Sequence, residues 1–124
     1  MARILIAEDE EPLRTLIKRA LAEECHFVVA TADGAEALET LQSEGGGFDL
    51  LLTDIKMPVM DGIALALAVA RDFPKLPILL MTGYADQRER VSGLEALICD
   101  VISKPFALAE IKFAVASALA KGKR

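Results

Sequence analysis

The chain has 124 residues, of which 53% are hydrophobic and 27% charged, and its formal net charge is −5. This length fits one domain, and the composition is that of a globular chain and not of a disordered one. The acidic balance argues against non-specific nucleic-acid binding, and no apolar run approaches the ~20 residues that a membrane helix needs. We therefore expect a cytoplasmic protein with neither a nucleic-acid nor a membrane partner.

The N-terminal half alternates apolar runs with helical stripes of apolar residues. Residues 3–7 form a continuous β-branched and aliphatic run, which predicts a buried strand, and the apolar spacing that follows predicts a helix over 12–24. A second strand is predicted over 27–30. The next helical stripe, at about 35–41, ends at three consecutive glycines, Gly45 to Gly47.

The C-terminal half continues the alternation. Strands are predicted over 48–53, 78–81 and 100–103, and helices over 62–72, 86–97 and 107–120. Asp61 and Gly62 open the first of these helices. The helix over 86–97 contains Gly93, which costs on the order of 1 kcal/mol relative to alanine, so we expect that segment to be short or mobile.

Five continuous strands alternating with five helices predict one α/β domain, a three-layer sandwich with helices on both faces of a five-stranded parallel sheet. Ligands bind such sheets outside the carboxyl ends of the strands, so the polar residues just past each strand should meet there. They are three acids, a hydroxyl and an amine: Glu8, Asp9, Asp54, Thr82 and Lys104. Clustered carboxylates need a cation among them, and oxygen ligands suit Mg²⁺. A carboxylate beside the metal can attack phosphorus and become an aspartyl phosphate.

Four short motifs carry a resemblance to a known family. AED at 7–9, LLLTDIKMPVMDG at 50–62, MTG at 81–83 and SKPF at 103–106 resemble the receiver domain of two-component response regulators, with the family's element order along the whole chain. The resemblance implies a flavodoxin-like, CheY-like sheet in the order 2-1-3-4-5. It also implies a receiver domain over 1–121 and a short basic tail over 122–124.

The resemblance implies a role for each of these residues. Asp54 would be the phosphoacceptor, while Thr82 and Lys104 would bind the phosphoryl group. The implied ligands of Mg²⁺ or Mn²⁺ are the side chains of Glu8, Asp9 and Asp54 and the backbone carbonyl of Lys56. The Lys104–Pro105 peptide bond matches one that is cis in the family. Histidine kinases and histidine phosphotransfer proteins would be the phosphodonors, and the chain would not be an enzyme that turns over a separate metabolite.

One position departs from the family pattern. Many receivers carry a Tyr or Phe three residues before the lysine of the SKPF-type motif, and that aromatic ring swings inward on activation. Here the residue is Val101, which cannot make the swing. Gly83 and Tyr84, directly after Thr82, are the other candidate switch residues.

The leading interpretation is a stand-alone receiver that changes its protein partner on phosphorylation, and a weak homodimer is a further possible contact. The nearly all-apolar third helix and Phe113 are candidate contact surfaces. Two alternatives stay open: a receiver excised from a hybrid histidine kinase, and a pseudo-receiver that binds partners without being phosphorylated. A nucleotide- or flavin-binding protein would need a Gly-rich or Ser/Thr-rich loop where this chain has four acids, and a phosphatase would want an acid in place of Lys56.

Overall fold

The computed structural model describes residues 2–83 and 90–122. Five strands form one sheet: β1 (Arg3–Ala7), β2 (Phe27–Thr31), β3 (Leu50–Asp54), β4 (Ile78–Thr82) and β5 (Asp100–Ser103). Their order is β2-β1-β3-β4-β5, and every neighbouring pair is parallel. All five carboxyl ends therefore lie at one edge, and both the predicted parallel sheet and the strand order implied by the resemblance are confirmed.

The described residues contain four helices: α1 (Glu11–Glu23), α2 (Gly34–Ser43), α3 (Gly62–Asp72) and α4 (Leu108–Gly122). Aspartates cap two of them, since Asp33 accepts a hydrogen bond from the Glu36 N–H and Asp61 from the Ala64 N–H, each at 2.8 Å. None of the helices in this part of the chain is long and apolar enough to cross a membrane.

The strand side chains alternate between two cores. The first lies under α2 and α3 and includes Leu5, Leu51, Leu80, Leu41 and Leu65. The second lies under α1 and α4 and includes Ile4, Leu52, Leu79, Ile17 and Ile111. All of these side chains are fully buried, and each such burial contributes about 1.5–3 kcal/mol. The two cores make the three-layer sandwich that was predicted.

The helix predicted over 86–97 is wrong in its C-terminal half. Residues 84–89, which include Tyr84, lie outside the described part of the chain. Arg90 and Val91 are helical, but residues 92–97 form turns. Gly93 has a φ of +92°, a left-handed conformation that a right-handed helix does not continue through. The prediction of five helices therefore reduces to four within the described residues.

The two apolar surfaces that the sequence pointed to are only partly covered. Helix α3 buries Leu65, Ala66 and Val69 against the sheet, while its Leu67 is 48% exposed. Phe113 on α4 is 75% exposed. Sheet packing thus accounts for one face of α3 and leaves Leu67 and Phe113 in contact with solvent.

Candidate metal centre

The polar residues predicted to meet do lie together at the carboxyl edge of the sheet. Asp54 and Thr82 are the last residues of β3 and β4. Glu8 and Asp9 follow β1, and Lys104 follows β5. Because parallel strands end on the same side, the fold brings residues from four strands into one site.

Three carboxylates form the centre of the site. One oxygen each from Glu8, Asp9 and Asp54 lies within 4.8 Å of the others. Glu8 is fully buried and Asp54 is 5% exposed, whereas Asp9 is open to solvent. Magnesium takes a few carboxylate oxygens and keeps several waters, so this half-open group of hard ligands fits that ion.

Lys104 supplies positive charge to two of the acids. Its Nζ donates to Asp54 Oδ2 at 2.8 Å and to Glu8 Oε1 at 3.2 Å. Burial disfavours the charged amine, but the hydrogen bond and charge of Asp54, together with those of Glu8, outweigh burial and raise the pKa of Lys104. The amine is therefore an ammonium at neutral pH.

Glu8 is the acid whose ionisation is most opposed. Burial, with a smaller contribution from the negative charge of Asp54, raises its pKa from 4.5 to about 7. The Glu10 N–H, 3.0 Å from Glu8 Oε2, and the Lys104 ammonium offset only part of this effect. The acid cluster is thus short of positive charge, which a divalent cation would supply.

The segment after β3 holds Asp54 in place. Its Oδ1 accepts a hydrogen bond from the Ile55 N–H at 2.8 Å, and the Thr53 hydroxyl donates to the Asp54 carbonyl oxygen at 2.9 Å. Gly62 lies against the same carbonyl so closely that a Cβ there would overlap it, and the Gly62 N–H donates to the Ile55 carbonyl at 2.7 Å. Gly62 therefore both starts α3 and packs against the residue that carries the carboxylate.

A cavity of about 620 Å³ opens in front of the acids. Its polar side is lined by Asp9, Asp54, Lys56, Gly83 and Lys104, and its apolar side by Leu13, Pro105 and Phe106. The Lys104–Pro105 peptide bond is cis, the isomer that the resemblance implies at this position. The acids and Lys104 can therefore be reached from solvent through this cavity.

The candidate switch residues occupy different surroundings. Gly83 borders the cavity, while Val101 is half-buried and packs against the core under α2 and α3. The Thr82 carbonyl accepts a hydrogen bond from the Lys104 N–H at 2.7 Å. Thr82 and Gly83 therefore adjoin the site directly, whereas Val101 contacts the hydrophobic core.

Two arginine contacts, one at the site and one at the start of α3, were not predicted from the sequence. Arg14 Nη1 donates to the Glu8 carbonyl oxygen at 2.9 Å, and Arg90 pairs with the helix-capping Asp61 at 2.5 Å. Arg14 is the first basic residue after the acidic loop, and this proximity is a signal that could have identified it. Arg90 meets Asp61 only through the fold, from 29 residues away.

The family model that describes the response regulator receiver domain matches residues 4–116. The response regulator receiver protein CpdR of Brucella abortus is 40% identical over 111 residues, which cover 90% of this chain and 91% of CpdR. The transcriptional regulatory protein TcrA of Mycobacterium tuberculosis is 35% identical over 109 residues, which cover 88% of this chain. The chain spans only 42% of TcrA.

Two solved structures illustrate the structural similarity. The response regulator TrrA of Thermotoga maritima, solved in complex with Mg²⁺-BeF, superposes with a TM-score of 0.84 at 31% identity and covers 95% of this chain and 99% of TrrA. A receiver domain protein from Clostridium thermocellum has a TM-score of 0.90 at 22% identity, with 99% of this chain and 98% of that chain covered. The second similarity shows the fold alone.

Proposed function

This chain belongs to the response regulator receiver domain family, and we propose that Asp54 is the residue in it that accepts a phosphoryl group. Phosphorylation on an aspartate is typical of this family. One observation carries the proposal: the Asp54 carboxylate lies 2.8 Å from the Lys104 ammonium and within 4.8 Å of two further acids, beside an open cavity.

The acids fit the metal that receiver domains bind at an acidic pocket. Glu8, Asp9 and Asp54 would hold Mg²⁺ or Mn²⁺, with the Lys56 backbone carbonyl as a further ligand. When bound, the ion would neutralise charge on the phosphoryl oxygens during transfer. The raised pKa of Glu8 supports this assignment, because a buried acid beside Asp54 is stabilised as a carboxylate by added positive charge.

Receiver domains accept phosphate from histidine kinases or phosphotransfer proteins. In the proposed step, an Asp54 carboxylate oxygen attacks the phosphorus of a phosphohistidine, and the new P–O bond forms as the P–N bond breaks. The imidazole leaves with the bonding electron pair and takes up a proton. The Lys104 ammonium has three N–H donors, so it can bind a phosphoryl oxygen in addition to Asp54, and the Thr82 hydroxyl can donate from the same edge.

The output we propose is a change of protein partner, because receiver domains are generally not enzymes acting on a separate substrate. Val101 has no ring that could swing inward, and it is half-buried against the core. The signal would therefore leave the site through Thr82 and Gly83, which adjoin Lys104. A partner screen with phosphorylated and unphosphorylated protein would identify the phosphodonor and the output partner.

The proposal is tested by incubation with a phosphoramidate and Mg²⁺, followed by intact-protein mass spectrometry. The wild type should gain one phosphoryl group and D54N none. The matched control is D72N, since Asp72 is exposed at the end of α3, and it should gain one group as the wild type does. A gain that persists in D54N contradicts the assignment of Asp54. If neither phosphoramidate nor a phosphorylated histidine kinase modifies the wild type, the pseudo-receiver becomes the better interpretation.

A further inference from the structure

We propose that Arg14 is a positioning residue for the metal centre: by binding the Glu8 main-chain carbonyl, it orients the Glu8–Asp9 peptide and thereby sets the affinity for Mg²⁺. The inference rests on the proposed metal site. Arg14 lies near the N-terminus of α1, and its Nη1 is 2.9 Å from the Glu8 carbonyl oxygen. A hydrogen bond from a charged guanidinium is stronger than one between neutral groups.

The placement of Arg14 is unfavourable unless this contact compensates for it. The N-terminus of a helix carries a partial positive charge, which disfavours a cation in the first turns. Side chains of a helix point back toward its N-terminus, so the Arg14 guanidinium reaches the acidic loop that precedes α1. There the Glu8 carbonyl accepts a hydrogen bond from the guanidinium.

The contact determines where Asp9 lies. Among residues 2–83 and 90–122, no group donates a hydrogen bond to the Asp9 carboxylate, whereas Glu8 and Asp54 are both held by Lys104. The Glu8 carbonyl and the Asp9 N–H belong to one planar peptide unit, so fixing the carbonyl fixes the direction in which the Asp9 side chain leaves the backbone. Asp9 is thus positioned through its backbone, and Arg14 is the side chain that holds that backbone.

Other contacts fix the residues on either side of the Glu8–Asp9 peptide, whereas Arg14 binds the carbonyl of that peptide itself. The Glu8 N–H donates to the Thr31 carbonyl at 3.0 Å, which extends the pairing of β1 with β2 by one residue. The Glu10 N–H donates to Glu8 Oε2 at 3.0 Å. Both contacts anchor Glu8 and Glu10, on either side of Asp9. The orientation of the Glu8–Asp9 peptide between them depends on the Arg14 guanidinium.

The charge of Arg14 and its proposed positioning role predict opposite effects of its removal on the affinity for Mg²⁺. As a cation near the site, Arg14 repels Mg²⁺, so removal of its charge alone would tighten metal binding. As the group that orients Asp9, it favours Mg²⁺, so its removal would weaken binding. Groups that orient metal ligands typically change metal affinity by about 10–100-fold when they are lost. The direction of the change therefore distinguishes the two roles.

The test is calorimetric titration of Mg²⁺ into the unphosphorylated protein. R14Q should raise the Kd for Mg²⁺ about tenfold, at the lower end of the range for groups that orient metal ligands. The control R19Q removes the same charge from an exposed position on α1 and should bind Mg²⁺ as the wild type does. A merely structural role of Arg14 would lower the melting temperature of the metal-free protein and leave the Kd unchanged.

Two outcomes overturn the proposal, and they are distinguishable. If R14Q binds Mg²⁺ as tightly as R19Q, or more tightly, Arg14 does not position Asp9 for the metal. If the wild type itself does not bind Mg²⁺, the proposed metal site of Glu8, Asp9 and Asp54 is refuted as well.

Discussion

The Lys104 ammonium lies 2.8 Å from Asp54 Oδ2, although 50 residues separate the two in the chain. The pair is largely buried, with 20% of the Lys104 side chain and 7% of the Asp54 side chain exposed. Because the same ammonium also contacts Glu8, one cation partly neutralises two buried acids. The stability of the site therefore depends on Lys104 whenever no metal is bound.

K104M should destabilise the metal-free protein by about 3 kcal/mol at pH 8, since removal of one partner leaves buried carboxylates uncompensated. The loss should be smaller at pH 5, where Glu8 is protonated, and Mg²⁺ should restore part of it. Urea unfolding at both pH values measures these differences. The control is K112M, which breaks an exposed pair with Glu23 at 3.6 Å and should cost little. Equal losses in the two variants would contradict the prediction.

Glu8 should make the metal-free protein less stable as the pH rises. Its pKa is raised from 4.5 to about 7 by burial and by Asp54, so between these values the folded state binds more protons than the unfolded state. The free energy of unfolding therefore decreases with pH across that window. E8Q cannot ionise and should lose this part of the slope, whereas E39Q, an exposed control on α2, should keep it. Urea unfolding in chelator-treated buffer across the window measures the slope, and an unchanged slope in E8Q would refute the assignment to Glu8.

G62A should displace Asp54, because the added Cβ overlaps the Asp54 carbonyl oxygen. We expect a loss of about 1–3 kcal/mol in the free energy of unfolding, as for other overpacked sites, together with slower phosphorylation. G83A is the control for stability at the same edge, since its Cβ would lie 3.8 Å from the nearest Lys104 atom, an ordinary contact, and the wild type is the reference for the phosphorylation rate. Chemical unfolding and the phosphorylation rate report the two effects. A G62A variant as stable as G83A and as reactive as the wild type would show that the close packing is not needed.

V59G should stabilise the protein. Val59 has a φ of +67°, a left-handed conformation that a β-branched residue adopts only with strain, and it is 85% exposed, so little packing is lost on its removal. Relief of the strain, reduced by the backbone entropy of glycine, should give a net gain of about 0.5–1 kcal/mol. V59A keeps a Cβ and should gain less. A thermal melt of the three proteins orders them, and V59G melting at or below V59A would contradict the explanation.

Asp61 combines a helix cap with an ion pair, and two substitutions separate them. Burial opposes ionisation of Asp61, but the Ala64 N–H and the Arg90 guanidinium outweigh it and lower its pKa. D61N keeps a capping oxygen and should lose about 0.5 kcal/mol for the partly exposed pair. D61A also loses the cap, which adds about 1 kcal/mol.

The lowered pKa of Asp61 also fixes the direction of its pH dependence. Its stabilisation is present above the pKa of the unfolded chain and is lost as the pH falls through the folded value. Urea unfolding of both variants at neutral and acidic pH checks the magnitudes and the sign. Equal losses in D61N and D61A would mean that the cap contributes nothing.

Local causes explain what could be predicted from the sequence. Continuous apolar runs became strands, and Asp61 became the cap of a helix because its side chain needs only the next turn of backbone. Asp54 and Lys104 could be placed at one edge because parallel strands end together. Strand ends were less predictable: β3 begins at Leu50 and includes Asp54, since Asp54 pairs with Met81 in the ladder with β4. The C-terminal end of β3 is therefore set by its pairing with the neighbouring strand and not by the apolar run in the sequence.

The sequence by itself indicated the family and the set of acids, because periodicity and motif spacing are properties of the chain alone, and the sheet order followed only from the resemblance to that family. Tertiary structure decided that Lys104 serves two acids, that Arg14 binds the Glu8 carbonyl and that Gly62 touches Asp54. Each of these contacts depends on how strands and helices are arranged in space, which sets distances between residues far apart in sequence. The burial that raises the pKa of Glu8 arises in the same way, since removing water from a carboxylate requires neighbours from several elements at once.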